Sequence, residues 1–327
     1  MRLAVCGSGK IVTEFLPYLA HVPGVGLGAI VGRAASEDKL SRLAAEHGIP
    51  QVHLSMDDCL ADNSIDTVWV AVPNSLHFEY ARAALAAGKH VICEKPFVLR
   101  QDHLAELRAM AVERGLILVE AISMQYLANY EWIRQNIGRV GDVRMIQCDY
   151  SQYSSCYDAF REGTILPAFD PVQGGGALMD IGIYTIHFVV GLMGMPRAAT
   201  YTANIERNVD TSGVLVLEYD ECTAVCVCAK DSDGPIRSKI QGTDGWIVAE
   251  GAPNAIPRVE TGTRGADVEE VINLSTEPHR MVEEFRAFER MIREHDTSER
   301  DRRLDHSEAV LAVATAALAS AGMSDDR

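Results

Sequence analysis

Short apolar runs alternate with helical stretches through residues 1–121. Arg2-Leu3-Ala4-Val5-Cys6 is the first such run, and others lie near residues 25–31, 66–72, 89–93 and 116–120. Apolar residues at helical spacing fall at 36–47, 75–87 and 101–114. The second of these is alanine-rich near its end and stops at Gly88, a good helix terminator. Strand-helix alternation predicts a parallel sheet with helices on both faces. From about residue 140 the rhythm changes. Residues 143–150, 199–205, 213–219, 223–229, 238–241 and 246–250 read as strands separated by turns, with few helices between them. This predicts an antiparallel sheet. Two helices, 281–294 and 306–321, close the chain, and the charge-rich stretch 296–303 between them reads as a solvated loop. Two domains follow, 1–121 and 122–327. Their total of 327 residues suits a prior of about 150 residues per domain.

The first strand runs into Gly7-Ser8-Gly9-Lys10-Ile11-Val12 and then a helical pattern, Phe15, Leu16, Leu19. Strand, Gly-x-Gly turn and helix is the opening of a dinucleotide-binding βαβ unit. Its glycines permit a tight turn and bring a pyrophosphate to the helix N-terminus, where free N–H groups favour anions. Val12 stands where a third glycine would allow closer helix–strand packing.

The strand at 89–93 leads into Glu94-Lys95-Pro96. An ammonium at the end of a buried strand needs a partner or water. The carboxyl ends of parallel strands are where such sheets bind ligands. Pro96 also biases Lys95 toward an extended backbone, so the turn reads as built to hold one amine. A solvated turn lysine is the plain alternative.

A third segment, Gly174-Gly175-Gly176-Ala177-Leu178-Met179-Asp180-Ile181-Gly182-Ile183-Tyr184-Thr185-Ile186-His187, is a glycine run feeding an oily helix. Asp180, Tyr184 and His187 fall at i, i+4 and i+7, on one helix face, and read as the lining of a wet cleft.

With these segments the chain resembles the Gfo/Idh/MocA family, the glucose–fructose oxidoreductase and inositol dehydrogenase superfamily. The carriers are Gly7-x-Gly9-x-Ile11, Ala71-Val72-Pro73-Asn74-x-x-His77, Glu94-Lys95-Pro96 and Gly174-Gly175-Gly176-x-x-x-Asp180. The resemblance implies an N-terminal Rossmann domain with a doubly wound parallel sheet, a C-terminal α+β domain with an open, mainly antiparallel sheet, and a nicotinamide-dependent oxidoreductase with Lys95 at the reaction centre. It assigns Gly7, Gly9, Lys10, Ile11, Arg33, Pro73, Asn74, His77, Glu94 and Lys95 to the cofactor, although Asn74 could simply cap its helix. Inositol dehydrogenase relatives carry Asp-x-x-x-His-x-x-Asp on the later helix. Here the pattern is Asp180-x-x-x-Tyr184-x-x-His187, which resembles the branch with dihydrodiol and xylose dehydrogenases, where the tyrosine is the acid. Lys95, Tyr184 and Asp180 are thus the catalytic candidates. His187 either contacts a substrate hydroxyl or is a satisfied helix histidine.

Cofactor choice turns on the residue after the second strand, where an acid would hold the ribose hydroxyls and repel a 2′-phosphate. Gly32 and Arg33 follow that strand. An arginine pairs with phosphate, so NADP(H) is preferred. If Arg33 only stacks on adenine, NAD(H) serves. The segment Glu120 to Tyr126 matches the one after the sixth strand in the tyrosine branch. It puts Gln125 and Tyr126 with His187 at the substrate. Aromatic-diol users tend to carry Trp and Arg where this chain has Ser123 and Gln125, so a sugar or cyclic polyol fits better.

Composition narrows the classes. A net charge of −16 with no basic block argues against nucleic acid as a partner. No apolar run reaches the roughly 18 residues of a membrane span, and the chain opens directly on a strand rather than a signal peptide. A cytoplasmic enzyme is expected. Eight cysteines are scattered without a Cys-x-x-Cys, so buried thiols are expected rather than a metal site. An antiparallel sheet with one uncovered face, supplied by strands bearing Val214, Val216, Tyr219, Val225 and Val227, predicts a homodimer or homotetramer. Two other classes remain open: a non-catalytic dinucleotide-binding regulator, and a glycosidase that uses tightly held NAD.

Overall fold

The computed structural model describes residues 1–323. Its first part holds strands β1 (Arg2–Cys6), β2 (Gly26–Val31), β3 (Gln51–His53), β4 (Thr67–Val70), β5 (His90–Glu94) and β6 (Leu118–Ala121). They form a parallel sheet in the order β3-β2-β1-β4-β5-β6, the doubly wound arrangement whose ligand crevice lies where the order reverses. Helices α1 (Lys10–Phe15), α2 (Glu37–His47), α3 (Met56–Ala61), α4 (His77–Ala86) and α5 (Gln101–Glu113) connect the strands. β4 is buried along its whole length, as a central parallel strand covered on both faces should be.

The second part begins with α6 (Ala128–Asn136) and β7 (Val143–Ser151), then α7 (Tyr157–Arg161) and α8 (Ile183–Met193). Strands β8 (Ala198–Glu206), β9 (Val209–Glu218), β10 (Thr223–Ala229), β11 (Arg237–Gly242), β12 (Gly245–Glu250), β13 (Arg258–Thr263) and β14 (Glu270–Ile272) follow. The sheet order is β14-β13-β12-β11-β7-β10-β9-β8. Its pairs are antiparallel except β7 with β10. α8 packs against β7 and β10. The strands alternate: Ile146, Cys148, Leu215, Ala224 and Cys226 are buried, while Val225 pairs with Val216 and Val227 with Val214 on the other, more open face. Tyr219 lies beyond β9 and does not share that face pattern; its hydroxyl donates to Gly194 O at 3.0 Å.

The last helices are α9 (Met281–Glu294) and α10 (Thr297–Ser320). The chain divides into two compact units. Met1–Ala121 pairs with Glu277–Asp305, and Ile122–Thr276 with residues 306–323. The sequence reading kept 277–305 with the second domain, and the structure puts that segment in the first unit. The reason is packing. α9 is amphipathic, and its Phe285 ring lies 4.7 Å from Phe15 and 5.1 Å from Trp69.

The stretch 296–303, expected as a solvated loop, is largely the first turns of α10. Glu299 pairs with Arg302 and Arg303 at helical spacing. Arg300 is buried, and its guanidinium donates to Leu116 O at 3.0 Å. A second expectation also changes. The helical stretch Pro171–Met193 is long and apolar enough by length and composition to cross a bilayer. However, 72% of its apolar window is buried inside the protein, as a core helix would be.

Candidate active site

In the first unit, the Gly-x-Gly turn sits over the ends of the central strands. Gly7 N donates to Val31 O at 2.9 Å, and Ala71 N donates to Cys6 O at 2.8 Å. Gly7 has φ +117°, and a Cβ there would lie 2.2 Å from Ala71 O, so no other residue fits. A Cβ on Gly9, by contrast, would meet nothing within 4 Å. That open space borders the first turn of α1, whose N–H groups have no intrahelical acceptors. Room plus free donors is what a dinucleotide diphosphate needs, so Gly7, Gly9, Lys10 and Ile11 fit the group. The Lys39 ammonium donates to Ser8 O inside the same turn. The sequence reading missed Lys39, which carries no local signal beyond being one of several charges on α2.

At the end of β2, Gly32 packs against Leu40, and Arg33 is exposed beside it. Gly32, rather than an acidic residue, directly follows that strand. Pro73 and Asn74 follow β4 and open a 3₁₀ turn ahead of α4. The caps of that turn and of α4 are Pro73 and Leu76, so Asn74 is not their N-cap.

His77 differs from its expected role at the cofactor. Its ring is 0% exposed, with Nδ1 2.9 Å from Pro96 O and Nε2 3.0 Å from Val72 O. Both ring nitrogens face carbonyl oxygens, and a neutral ring donates its single N–H to one of them, so His77 packs between the turn after β4 and the Glu-Lys-Pro turn after β5. Burial pushes its pKa down.

Lys95 leaves the end of β5, and the Lys95–Pro96 peptide is cis. Beneath it, the Trp69 indole Nε1 donates to Glu94 Oε1 at 3.0 Å, and Phe97 N donates to Glu120 Oε1 at 3.0 Å. Burial raises the Glu94 carboxyl to about 7 and pushes Glu284, 1% exposed on α9, well above the usual carboxylate range. Next to Lys95, the Glu94 carboxyl is thus one that burial pushes toward its neutral form. Cys93 is fully buried with its thiol pushed up, as a core thiol is.

In the second unit, the glycine run is a packing requirement. Gly176 has φ +113°, and a Cβ there would sit 2.1 Å from Asp210 Oδ1. Asp210 in turn accepts from Leu178 N at 2.7 Å and from Tyr201 Oη at 2.9 Å, fixing where the helix starts. Leu178–Gly182 is a π-helical turn. The 3.6-residue count that aligned Asp180 with Tyr184 does not hold through it. The stripe is accordingly uneven: Asp180 is 35% exposed, Tyr184 is 9% exposed, and His187 is fully buried.

His187 Nδ1 lies 2.9 Å from His306 Nε2. This contact occupies one of the two ring nitrogens of His187. Gln125 donates from Nε2 to His187 O at 3.3 Å, and Tyr126 ends the same 3₁₀ turn. Tyr184 stands beside Tyr150, ring centroids 5.8 Å apart, and Asn254 Nδ2 donates to Tyr150 Oη at 3.3 Å.

Asp180 is paired. Lys230 Nζ lies 2.7 Å from Asp180 Oδ2. The sequence reading missed Lys230, although its signal equals that of Lys95: a lysine directly after an apolar strand, Cys226-Val227-Cys228-Ala229-Lys230.

Residues 1–121 match the family model described as the oxidoreductase family, NAD-binding Rossmann fold, and residues 131–248 match the GFO/IDH/MocA C-terminal domain. The chain is 33% identical over 308 residues to the scyllo-inositol 2-dehydrogenase (NADP(+)) of Bacillus subtilis, covering 94% of this chain and 93% of that protein. The chain belongs to the GFO/IDH/MocA oxidoreductase family. Other members at similar distance include the D-xylose 1-dehydrogenase (NADP(+)) 2 of Haloferax volcanii, 31% identical over 85% of this chain and 84% of that protein. The trans-1,2-dihydrobenzene-1,2-diol dehydrogenase of Xenopus tropicalis is 30% identical over 75% of this chain and 74% of that protein. The fold matches that of a 3-ketoreductase from Actinomadura kijaniata solved with NADP and TDP-benzene, at TM-score 0.82 and 24% identity over 97% of this chain and 98% of that one. This GFO/IDH/MocA member thus has both family domains in the expected order, and the α/β fold with a second, mostly antiparallel sheet is the one expected from its sequence.

Proposed function

We propose that this protein is an NADP-preferring dehydrogenase or reductase acting on a hydroxyl or carbonyl of a sugar or cyclic polyol. The observation that carries the reading is near full-length similarity to an NADP(+)-dependent inositol dehydrogenase in a chain whose sequence has Lys95, Asp180 and Tyr184. Retention of all three favours an enzyme over a dinucleotide-binding regulator.

The cofactor would lie against Gly7, Gly9, Lys10 and Ile11, with Pro73, Asn74 and Glu94 along its course and His77 holding two of those turns in place. Arg33 and Lys39 supply positive charge toward a 2′-phosphate, and Gly32 leaves out the acid that would repel it. When bound, the nicotinamide supplies hydride chemistry. Lys95 donates a hydrogen bond to the reacting oxygen and stabilises its negative charge. Tyr184 takes the hydroxyl proton in oxidation and returns it in reduction. Asp180 accepts a hydrogen bond from a neighbouring substrate hydroxyl, and Gln125 and Tyr126 line the substrate. His187 supports the helix through His306 rather than touching substrate.

The protein acts in the cytoplasm as a homodimer or homotetramer. In this reading a second copy covers the open sheet face that carries Val214, Val216, Val225 and Val227.

The test is a panel of inositols, aldoses and cyclic polyols assayed with NADP(+) and NAD(+), following nicotinamide absorbance. Turnover of free cofactor with at least one polyol or sugar, faster with NADP(+), is expected. Hydrolysis of glycosides without net cofactor turnover would favour the NAD-assisted glycosidase instead.

A further inference from the structure

Lys230 follows β10, and its side chain is only 2% exposed. Its backbone is held on both sides: Lys230 N donates to Thr211 O at 2.8 Å, and Ser154 N donates to Lys230 O at 2.9 Å. The ammonium itself meets three groups. Nζ lies 2.7 Å from Asp180 Oδ2 and 2.5 Å from Ala168 O, and it sits 4.3 Å from the centroid of the Phe169 ring. An ammonium this deeply buried persists only where its charge and donors are matched, and here a carboxylate, a carbonyl and a ring face match them. Phe169 is fully buried in a small cluster with Tyr157, Phe160 and Val209. One cation thus ties the loop preceding the glycine run to the carboxylate on the π-helical turn.

We propose that Lys230 is the positioning residue of the candidate active site, locking the Asp180 carboxylate to the Ala168–Phe169 loop so that it presents a fixed hydrogen-bond acceptor to a substrate hydroxyl. The inference rests on the reading that Asp180 faces substrate. An ionised carboxylate accepts and does not donate. The device therefore selects a ligand with a hydroxyl donor at that position, as sugars and polyols have. Other charged groups around the pair have donors of their own. Asp210 accepts from Leu178 N and Tyr201 Oη, and Asp231 accepts from Thr211 Oγ1 and Ser212 Oγ.

The experiment is a carboxyl-carbon NMR titration of aspartate-labelled protein, with Asp180→Asn identifying the Asp180 signal. Wild type is compared with Lys230→Met and Lys230→Arg. Loss of a cation at this distance should move the Asp180 titration upward by about one pH unit or more in Lys230→Met, and Lys230→Arg should restore it. On a sugar or polyol that the wild type turns over, Lys230→Met should raise KM by about tenfold or more, and Lys230→Arg should recover most of the loss. An Asp180 titration that stays in place in Lys230→Met overturns the proposal. Should that variant not fold, Lys230→Gln makes the same comparison with a neutral donor. If no sugar or polyol is turned over by the wild type, the functional reading fails, while the Asp180 titration still decides the role of Lys230.

Discussion

The Trp69 indole donates to the Glu94 carboxylate at 3.0 Å, one residue before Lys95. Burial lifts the Glu94 carboxyl from its ordinary 4.5 to about 7, against the opposing pull of the Trp69 hydrogen bond and the Lys95 charge. Between those values the folded protein holds a proton that the unfolded chain has released. Glu94 thus contributes stability that is full below 4.5 and is lost as pH rises through about 7. Glu94→Gln keeps an oxygen for the indole and removes the titration. It should flatten the fall in denaturant midpoint across that window and remove the matching step in Trp69 fluorescence. An unchanged slope in Glu94→Gln would assign the pH dependence to another group.

Lys95→Met or Lys95→Ala should abolish turnover while cofactor still binds. Retention of more than about a tenth of the rate, a loss under roughly 1.4 kcal/mol, would mean that Lys95 is not a catalytic residue. Cofactor fluorescence titration separates the two effects.

Arg33→Ala should weaken NADPH far more than NADH, because a charge-assisted contact to the 2′-phosphate is lost. Equal weakening of both, measured by calorimetry, would mean that Arg33 only stacks on the adenine.

Tyr184→Phe removes one hydroxyl from a nearly buried ring, so fold and cofactor binding should survive. The rate should fall by about 10²–10⁴-fold, the usual contribution of a general acid–base. His187→Gln should lower thermal stability more than turnover, since it breaks the 2.9 Å contact with His306. If His187→Gln loses rate and Tyr184→Phe does not, the acid lies one helical turn further along.

Assembly is checked by light scattering at micromolar concentration, where a mass of two or four chains is expected. Val216→Lys with Val225→Lys puts two charges at paired positions on the open sheet face and should drive the mass toward one chain. A monomeric wild type would sink the assignment of that face to a second copy.

Local pattern in the sequence determined a good deal. Strand-helix alternation up to Ala121, the Gly7-x-Gly9 turn and the lysine after β5 are readable because each depends on neighbours in the chain. Burial periodicity and turn chemistry act over a few residues. The same locality made the stretch 296–303 misleading. Its charges read as a solvated loop, yet they pair along α10, and Arg300 is buried against carbonyls nearly two hundred positions away. The placement of α9 beside Phe15 and Trp69, the contact of His77 with the Glu-Lys-Pro turn, and the partnership of Lys230 with Asp180 join residues well separated in the chain. Only the tertiary structure decided these. A buried charge or ring nitrogen takes whichever partner the packed fold brings within about 3 Å, and sequence spacing does not encode that distance.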